Sequence, residues 1–168
     1  MGPDPKQRRE AKKARQPTAA SGVPAAAPNA DDEHAIAYFQ RHVLDDPNET
    51  SPGRVFLRSC PPKTRAKLSS ILVAVAAAPP RRFSGGGYWE AMHGTMAGWF
   101  EIRVDGPNRH HYRLFCQLDY EASGISKPLL VVIDGRDKPF RTALAESDYT
   151  RIRAYGHEYY KRNPRSII

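Results

Sequence analysis

Trp99-Phe100-Glu101-Ile102-Arg103-Val104, then Asp105-Gly106-Pro107-Asn108, then His111-Tyr112-Arg113-Leu114-Phe115-Cys116-Gln117-Leu118 is the stretch that decides the fold. Its residues alternate with a period of two, the pattern of strands. In the first run Trp99, Glu101 and Arg103 share one face, and Phe100, Ile102 and Val104 share the other. The Asp-Gly-Pro-Asn tetrapeptide is turn chemistry. The second run, His111 to Tyr120, sets Tyr112, Leu114, Cys116 and Leu118 on one side and Arg113, Phe115 and Gln117 on the other. After a polar loop, Leu129-Leu130-Val131-Val132-Ile133 is continuously apolar, as a central strand is. Three strands in succession predict an antiparallel meander.

Outward from the meander the period changes. Leu68, Ile71, Leu72 and Val75 fall at i, i+3, i+4 and i+7, which predicts a helix from near Pro62, with Arg65 and Lys67 off its apolar stripe. Pro79-Pro80 ends it. A last helix is expected from Ser147, an N-cap residue with Asp148 in the first turn, through Tyr149, Ile152, Gly156 and Tyr159 to a stop at Pro164. Ala35 to Phe39 reads as a first strand or a helical turn. Asp46-Pro47-Asn48 and Ser51-Pro52-Gly53 read as breaks, with Val55-Phe56-Leu57 opening a second element. The expected class is α+β, a curved antiparallel sheet packed with two or three helices.

Residues 1–33 are expected to be a disordered tail: a basic run from Lys6 to Arg15, an Ala/Pro-rich stretch, then Asp31, Asp32 and Glu33. The folded domain is expected over 34–168. The chain of 168 residues carries a net charge of +8. Residues 34–168 hold 20 Lys and Arg against 13 Asp and Glu, so the surplus of seven belongs to the domain, not the tail. An anionic partner, nucleic acid above all, fits that balance. No apolar run approaches the roughly 20 residues that span a bilayer, and no apolar stretch follows the basic N-terminus as in a secretory signal. A cytoplasmic protein without a membrane partner is expected. Cys60 and Cys116 then read as reduced, partly buried thiols. Neither belongs to a CxxC pair, which speaks against a zinc site. Gly85-Gly86-Gly87 lacks the flanking Lys and Ser or Thr of a phosphate-binding loop.

Trp89-Glu90-Ala91-Met92 before Gly94, the Trp99–Arg103 strand, the His111–Cys116 strand, and Val131-Val132-Ile133-Asp134-Gly135 through Lys138-Pro139 together resemble the RelE/HigB superfamily, and more narrowly its phage-derived HigB-like branch. The resemblance spans about residues 54 to 162. It implies a RelE-like fold and the toxin of a type II toxin–antitoxin pair. Most such toxins are metal-independent endoribonucleases that cut messenger RNA, often at the ribosome, and are neutralised by a cognate antitoxin protein; no cofactor is implied. A related ParE-like branch poisons DNA gyrase without cutting RNA. A non-catalytic nucleic-acid or protein-binding member, including a phage accessory or structural protein, is the alternative. Fold alone does not choose between them.

Metal-free RNA cleavage needs a base at the 2′-hydroxyl, cations for the phosphorane and an acid for the leaving oxygen. Arg113 matches the arginine of the family's Tyr-Arg strand, where a guanidinium fork suits phosphate. Arg103, on the preceding strand, is its expected neighbour. Glu101 is either a general base or merely the partner of Arg103. Lys138 matches the basic residue after the last strand. His110 and His111 are adjacent, so at most one of them faces the site; His111 is taken as the candidate. His93, after the helix-to-sheet loop, is an equally possible one. Arg136 and Arg141, with Arg109, Arg81 and Arg82 on loops, are candidate RNA-backbone contacts. Tyr112 either stacks on a base or, the preferred reading, packs in the core; Trp89 and Trp99 carry the same ambiguity, and neither is assigned to the site.

Overall fold

The computed structural model describes residues 28–78, 80, 83 and 87–168. Along the chain come β1 (Ala35–Tyr38), α1 (Pro52–Ser59), α2 (Pro62–Ala77), β2 (Trp89–Ala91), β3 (Phe100–Gly106), β4 (His110–Asp119), β5 (Leu129–Pro139) and α3 (Glu146–Tyr160). The five strands form one sheet in the order β1-β5-β4-β3-β2. The meander β3-β4-β5 is antiparallel, as its alternation predicts. The sheet as a whole is mixed, because Ala35–Tyr38 pairs in parallel with Leu129–Val132. The expectation of a purely antiparallel sheet is corrected on this point. A parallel neighbour requires a long crossover, and α1 and α2 lie in it.

Ser51-Pro52-Gly53 does not break the chain but opens a helix. Proline fits the first helical position, where its missing N–H is not needed, and α1 runs from Pro52 through Val55-Phe56-Leu57. The Ser51 hydroxyl donates to the Phe39 carbonyl at 2.7 Å, tying the helix start to the end of β1. In α2 the residues Leu68, Leu72 and Val75 are buried. The last helix begins one residue before the expected Ser147, with Ala145 at the cap position and no side-chain cap.

Helices cover both faces, which explains the continuous apolar run of β5. Toward α1 and α2 lie Ile102, Val104, Leu114, Cys116, Leu130 and Val132. Toward α3 lie Phe115, Leu129, Val131 and Ile133, packed on Ile152 and Tyr159. Each such side chain contributes on the order of 1.5–3 kcal/mol by leaving water. Trp99 belongs to this second cluster, and at Gly156 a Cβ would come 2.5 Å from its ring, so α3 seats at a position where only glycine leaves room. Both cysteines are buried free thiols of the core on the α1/α2 side.

One irregularity sets the site. Phe115 pairs with Asp134 but Cys116 pairs with Val132, so β5 carries one extra residue, Ile133. Counted by twos from Val131 and Ile133, Arg136 and Lys138 would point toward α1 and α2. The bulge reverses that parity. Gly135 now faces Phe56 of α1, whose ring would lie 2.0 Å from a Cβ there. Asp134, Arg136 and Lys138 turn to the face that α3 covers.

Candidate functional site

Directly opposed residues of neighbouring strands share a face, so the registers define the site row by row. Arg103 of β3, Arg113 of β4 and Arg136 of β5 stand opposite one another across three adjacent strands, each about 4.8 Å from the next. The next row toward the strand ends is Asp105, His111 and Lys138. The row behind is Glu101, Phe115 and Asp134, with Glu90 of β2 opposite Glu101. Phe115 is fully buried on the α3 side, whereas Arg103, His111, Arg113, Arg136 and Lys138 are half-buried. The cationic rows therefore occupy the part of the sheet that α3 leaves open.

Like charges directly opposed in a sheet repel, and each arginine has its own carboxylate. Arg103 sits 2.5 Å from Glu90 and 3.5 Å from Glu101. Arg113 donates to Glu101 at 3.1 Å. Arg136 lies 2.7 Å from Asp134 and 3.4 Å from Asp148 at the start of α3. Glu101 is only 6% exposed and holds Arg103 on one oxygen and Arg113 on the other. Of its two expected readings, pairing is the one this geometry favours, since each oxygen of the buried carboxylate already faces a guanidinium. Asp134 is buried too, and that burial pushes its carboxyl above the usual range despite the neighbouring Arg136.

Arg113 spends one terminal nitrogen on Glu101, and its Nε is buried without a partner among the described residues. Lys138 stands opposite His111 and donates to the Thr142 carbonyl. Partial burial lowers its ammonium pKa, and the Arg113 and Arg103 charges lower it further, against the opposing pull of Glu101. His111 places Nδ1 2.5 Å from Asp105 and stacks on Phe140, centroids 4.2 Å apart. With Nδ1 so held, Nε2 is the ring nitrogen without a hydrogen-bond partner among the described residues.

The other sequence candidates divide. His110 points to the opposite face and pairs with Asp137 at 3.0 Å. His93 lies beyond the Ala91–Phe100 pair, at the far end of β3 from the cationic rows. Arg109 and Arg141 are exposed on two loops joined by the Phe140 N–H to the Arg109 carbonyl, 2.8 Å. Both have a left-handed backbone, φ 55° and 62°, uncommon for a side-chain-bearing residue. Arg81 and Arg82, and the tail over residues 1–27, lie outside the described residues. Trp89 stacks on Phe100 at 4.8 Å and, like Trp99, is core; Tyr112 packs near Phe56.

Sequence reasoning missed four participants. Glu90 lies in β2 and Tyr88 just before it, and a three-residue strand is too short to show a period. Asp105 read only as turn chemistry, and Phe140 has no pattern around it. No group of His, Cys, Asp or Glu suited to a metal ion occurs among the described residues, and no helix there is long and apolar enough to cross a membrane. No protein-family model matches the chain, and no curated protein or solved structure matches it either.

Proposed function

We propose that this chain is a metal-independent endoribonuclease of the type II toxin class, acting on messenger RNA in association with the ribosome and held in check by a cognate antitoxin protein. The observation that carries the reading is the row Arg103–Arg113–Arg136, bordered by Lys138 and His111 on the part of the sheet face that α3 leaves open. A phosphodiester is the ligand such a row suits, because its oxygens match the guanidinium forks and Arg113 keeps a buried Nε without a partner among the described residues.

In this reading Arg113 and Arg103 bind the scissile phosphate and stabilise the charge that grows on it. Glu101 fixes their forks and is not the base. His111, oriented by Asp105 through Nδ1, accepts the 2′-hydroxyl proton at Nε2. The 2′-oxygen bonds to phosphorus, the bond to the 5′-oxygen breaks, and Lys138 supplies the proton to the leaving oxygen. The products are a 2′,3′-cyclic phosphate and a free 5′-hydroxyl. The ammonium pKa of Lys138 is lowered, the direction that eases donation of its proton.

The test is induced expression of wild type and Arg113→Ala in a sensitive host, with new RNA 5′ ends mapped. Cuts and growth arrest that disappear in Arg113→Ala support the reading; cuts that persist in the variant refute it. A second reading draws on the carboxylates that already neutralise each arginine. On it the chain is a non-catalytic binder of the same fold, a ParE-like gyrase poison or a phage accessory protein, and growth arrest without new ends is its signature.

A further inference from the structure

Two cavities adjoin around the free edge of β3. Strand β2 pairs only as far as Ile102, with one further bond from the Arg103 N–H to the Tyr88 carbonyl, so among the described residues no strand lies on the outer side of Val104–Gly106. On the α3 side of this edge lies a cavity of about 270 Å³, lined by Tyr88, Arg103, His111 and Arg113. On the α2 side lies a larger one of about 620 Å³, walled by Pro61, Pro62, Pro107 and Lys63. Lys67 and Asp105 line both, so the two form a continuous path from the arginine row to the start of α2.

The chemistry of this path is consistent along its length. Lys63 and Lys67 are four residues apart on α2 and therefore share a face. Both are exposed, and neither has a carboxylate partner among the described residues. Lys67 sits 5.0 Å from the centroid of the Tyr88 ring. The acid on the path, Asp105, is taken up by His111. Between the cations the walls are flat and apolar: three proline rings and one tyrosine. Cations spaced along a groove with stacking surfaces between them suit an unpaired strand, whose bases have free faces; a duplex offers only its backbone.

We propose that the groove around the β3 edge is a binding track for single-stranded RNA, carrying the nucleotides that flank the scissile phosphate from the arginine row past Lys67 to Lys63. Its choice of RNA rests on the ribonuclease reading above, and it adds the part of the substrate that reading leaves unplaced. Lys63 is the informative residue, since it lines the outer cavity alone and stands clear of the arginine row.

The experiment is fluorescence anisotropy with labelled 2′-O-methyl oligouridylates of three and six nucleotides, which cannot be cleaved, on wild type and Lys63→Glu. Wild type is expected to bind the hexamer at least tenfold more tightly than the trimer. Lys63→Glu is expected to weaken the hexamer fivefold or more while leaving the trimer within twofold. Losing one phosphate contact should also flatten the log–log salt slope for the hexamer by about 0.7. Equal binding of trimer and hexamer, or a hexamer indifferent to Lys63→Glu, overturns the track. The two proposals separate cleanly. Length-dependent binding without cuts in cells refutes the nuclease alone; cuts with an indifferent Lys63 refute the track alone.

Discussion

Glu101 is the side chain on which the arginine row depends, and a double-mutant cycle measures that dependence. Its side chain is 8% exposed and that of Arg113 14%, at a separation of 3.1 Å. Removing one member of a buried pair strands the other charge and costs about 3–5 kcal/mol. Glu101→Gln keeps the shape and one acceptor oxygen, and the longer contact to the more exposed Arg103 contributes little. The expected cost is therefore near the lower end, about 3 kcal/mol. Arg113→Met leaves Glu101 with Arg103 as partner and should cost less, about 2 kcal/mol. Removing both charges together restores an uncharged pair of similar volume, so Glu101→Gln/Arg113→Met should lie within about 1 kcal/mol of wild type. The coupling energy is then well above the ~0.5 kcal/mol of independent sites. Urea denaturation reads all four corners of the cycle, with midpoints shifting at constant m. Single variants each costing under ~1 kcal/mol and adding in the double would refute the argument. Glu101 would then be screened by water and have no hold on either guanidinium.

Three further outcomes follow from other parts of the molecule. Burial works to raise the Asp119 carboxyl, but hydrogen bonds from Arg165, the Glu121 N–H and Tyr159 outweigh it and hold its pKa below the usual range. A depressed carboxyl contributes stability above its unfolded pKa that is lost as pH falls through the folded one, so the loss begins below about pH 4. Asp119→Asn should cost about 2–3 kcal/mol at neutral pH and flatten the acid limb of a denaturation series; an acid limb identical to wild type contradicts the assignment. At Gly135, alanine should destabilise by about 1–3 kcal/mol through collision with Phe56, and Phe56→Leu in the same chain should recover part of that loss; calorimetry on the two variants and their combination decides it. Burial pushes the Cys60 thiol up to about 11 and raises Cys116 as well, which leaves about 0.1% of Cys60 as thiolate at pH 8. Both should resist iodoacetamide until the chain unfolds; fast labelling of the native protein, followed by mass spectrometry, would show the core to be open.

Much of the fold is legible because helix and strand periods survive in the sequence. The faces of β3 and β4 follow from alternation alone, and with them that Arg103 can neighbour Arg113; the register that also sets Glu101 opposite Phe115 comes from the structure. Alpha2 follows from one apolar stripe ended by two prolines. What is not legible has specific causes. Ser51-Pro52-Gly53 is turn chemistry and helix-start chemistry at once, and only the docking of Ser51 on Phe39 separates them. Beta1 is four residues long, too short to reveal that it pairs in parallel with a strand more than ninety positions away in the sequence. At the site, Arg103 and Arg113 can be paired on paper. Arg136 and Lys138 are candidates there only through the resemblance and their charge, as residues of a loop after the last strand; β5 runs on through Pro139 and holds both, and counting by twos from its apolar run sends them to the wrong side.

That miscount has a consequence for how the chain tolerates change. Ile133 divides β5 into a half that pairs with β1 and builds the core, and a half that carries Arg136 and Lys138. Loss of a single codon at Ile133 would join Val132 directly to Asp134, with Cys116 and Phe115 still opposite them, and turn β5 into one regular strand. Arg136 and Lys138 would keep the face of Arg113 and His111, and the cost would fall on the core that Ile133 fills with Ile152 and Tyr159. Loss of one residue between Asp134 and Arg136 is the change that would turn both cations under α1 and cut the arginine row from three members to two. Genetically β5 is tolerant of length on one side of its bulge and intolerant on the other.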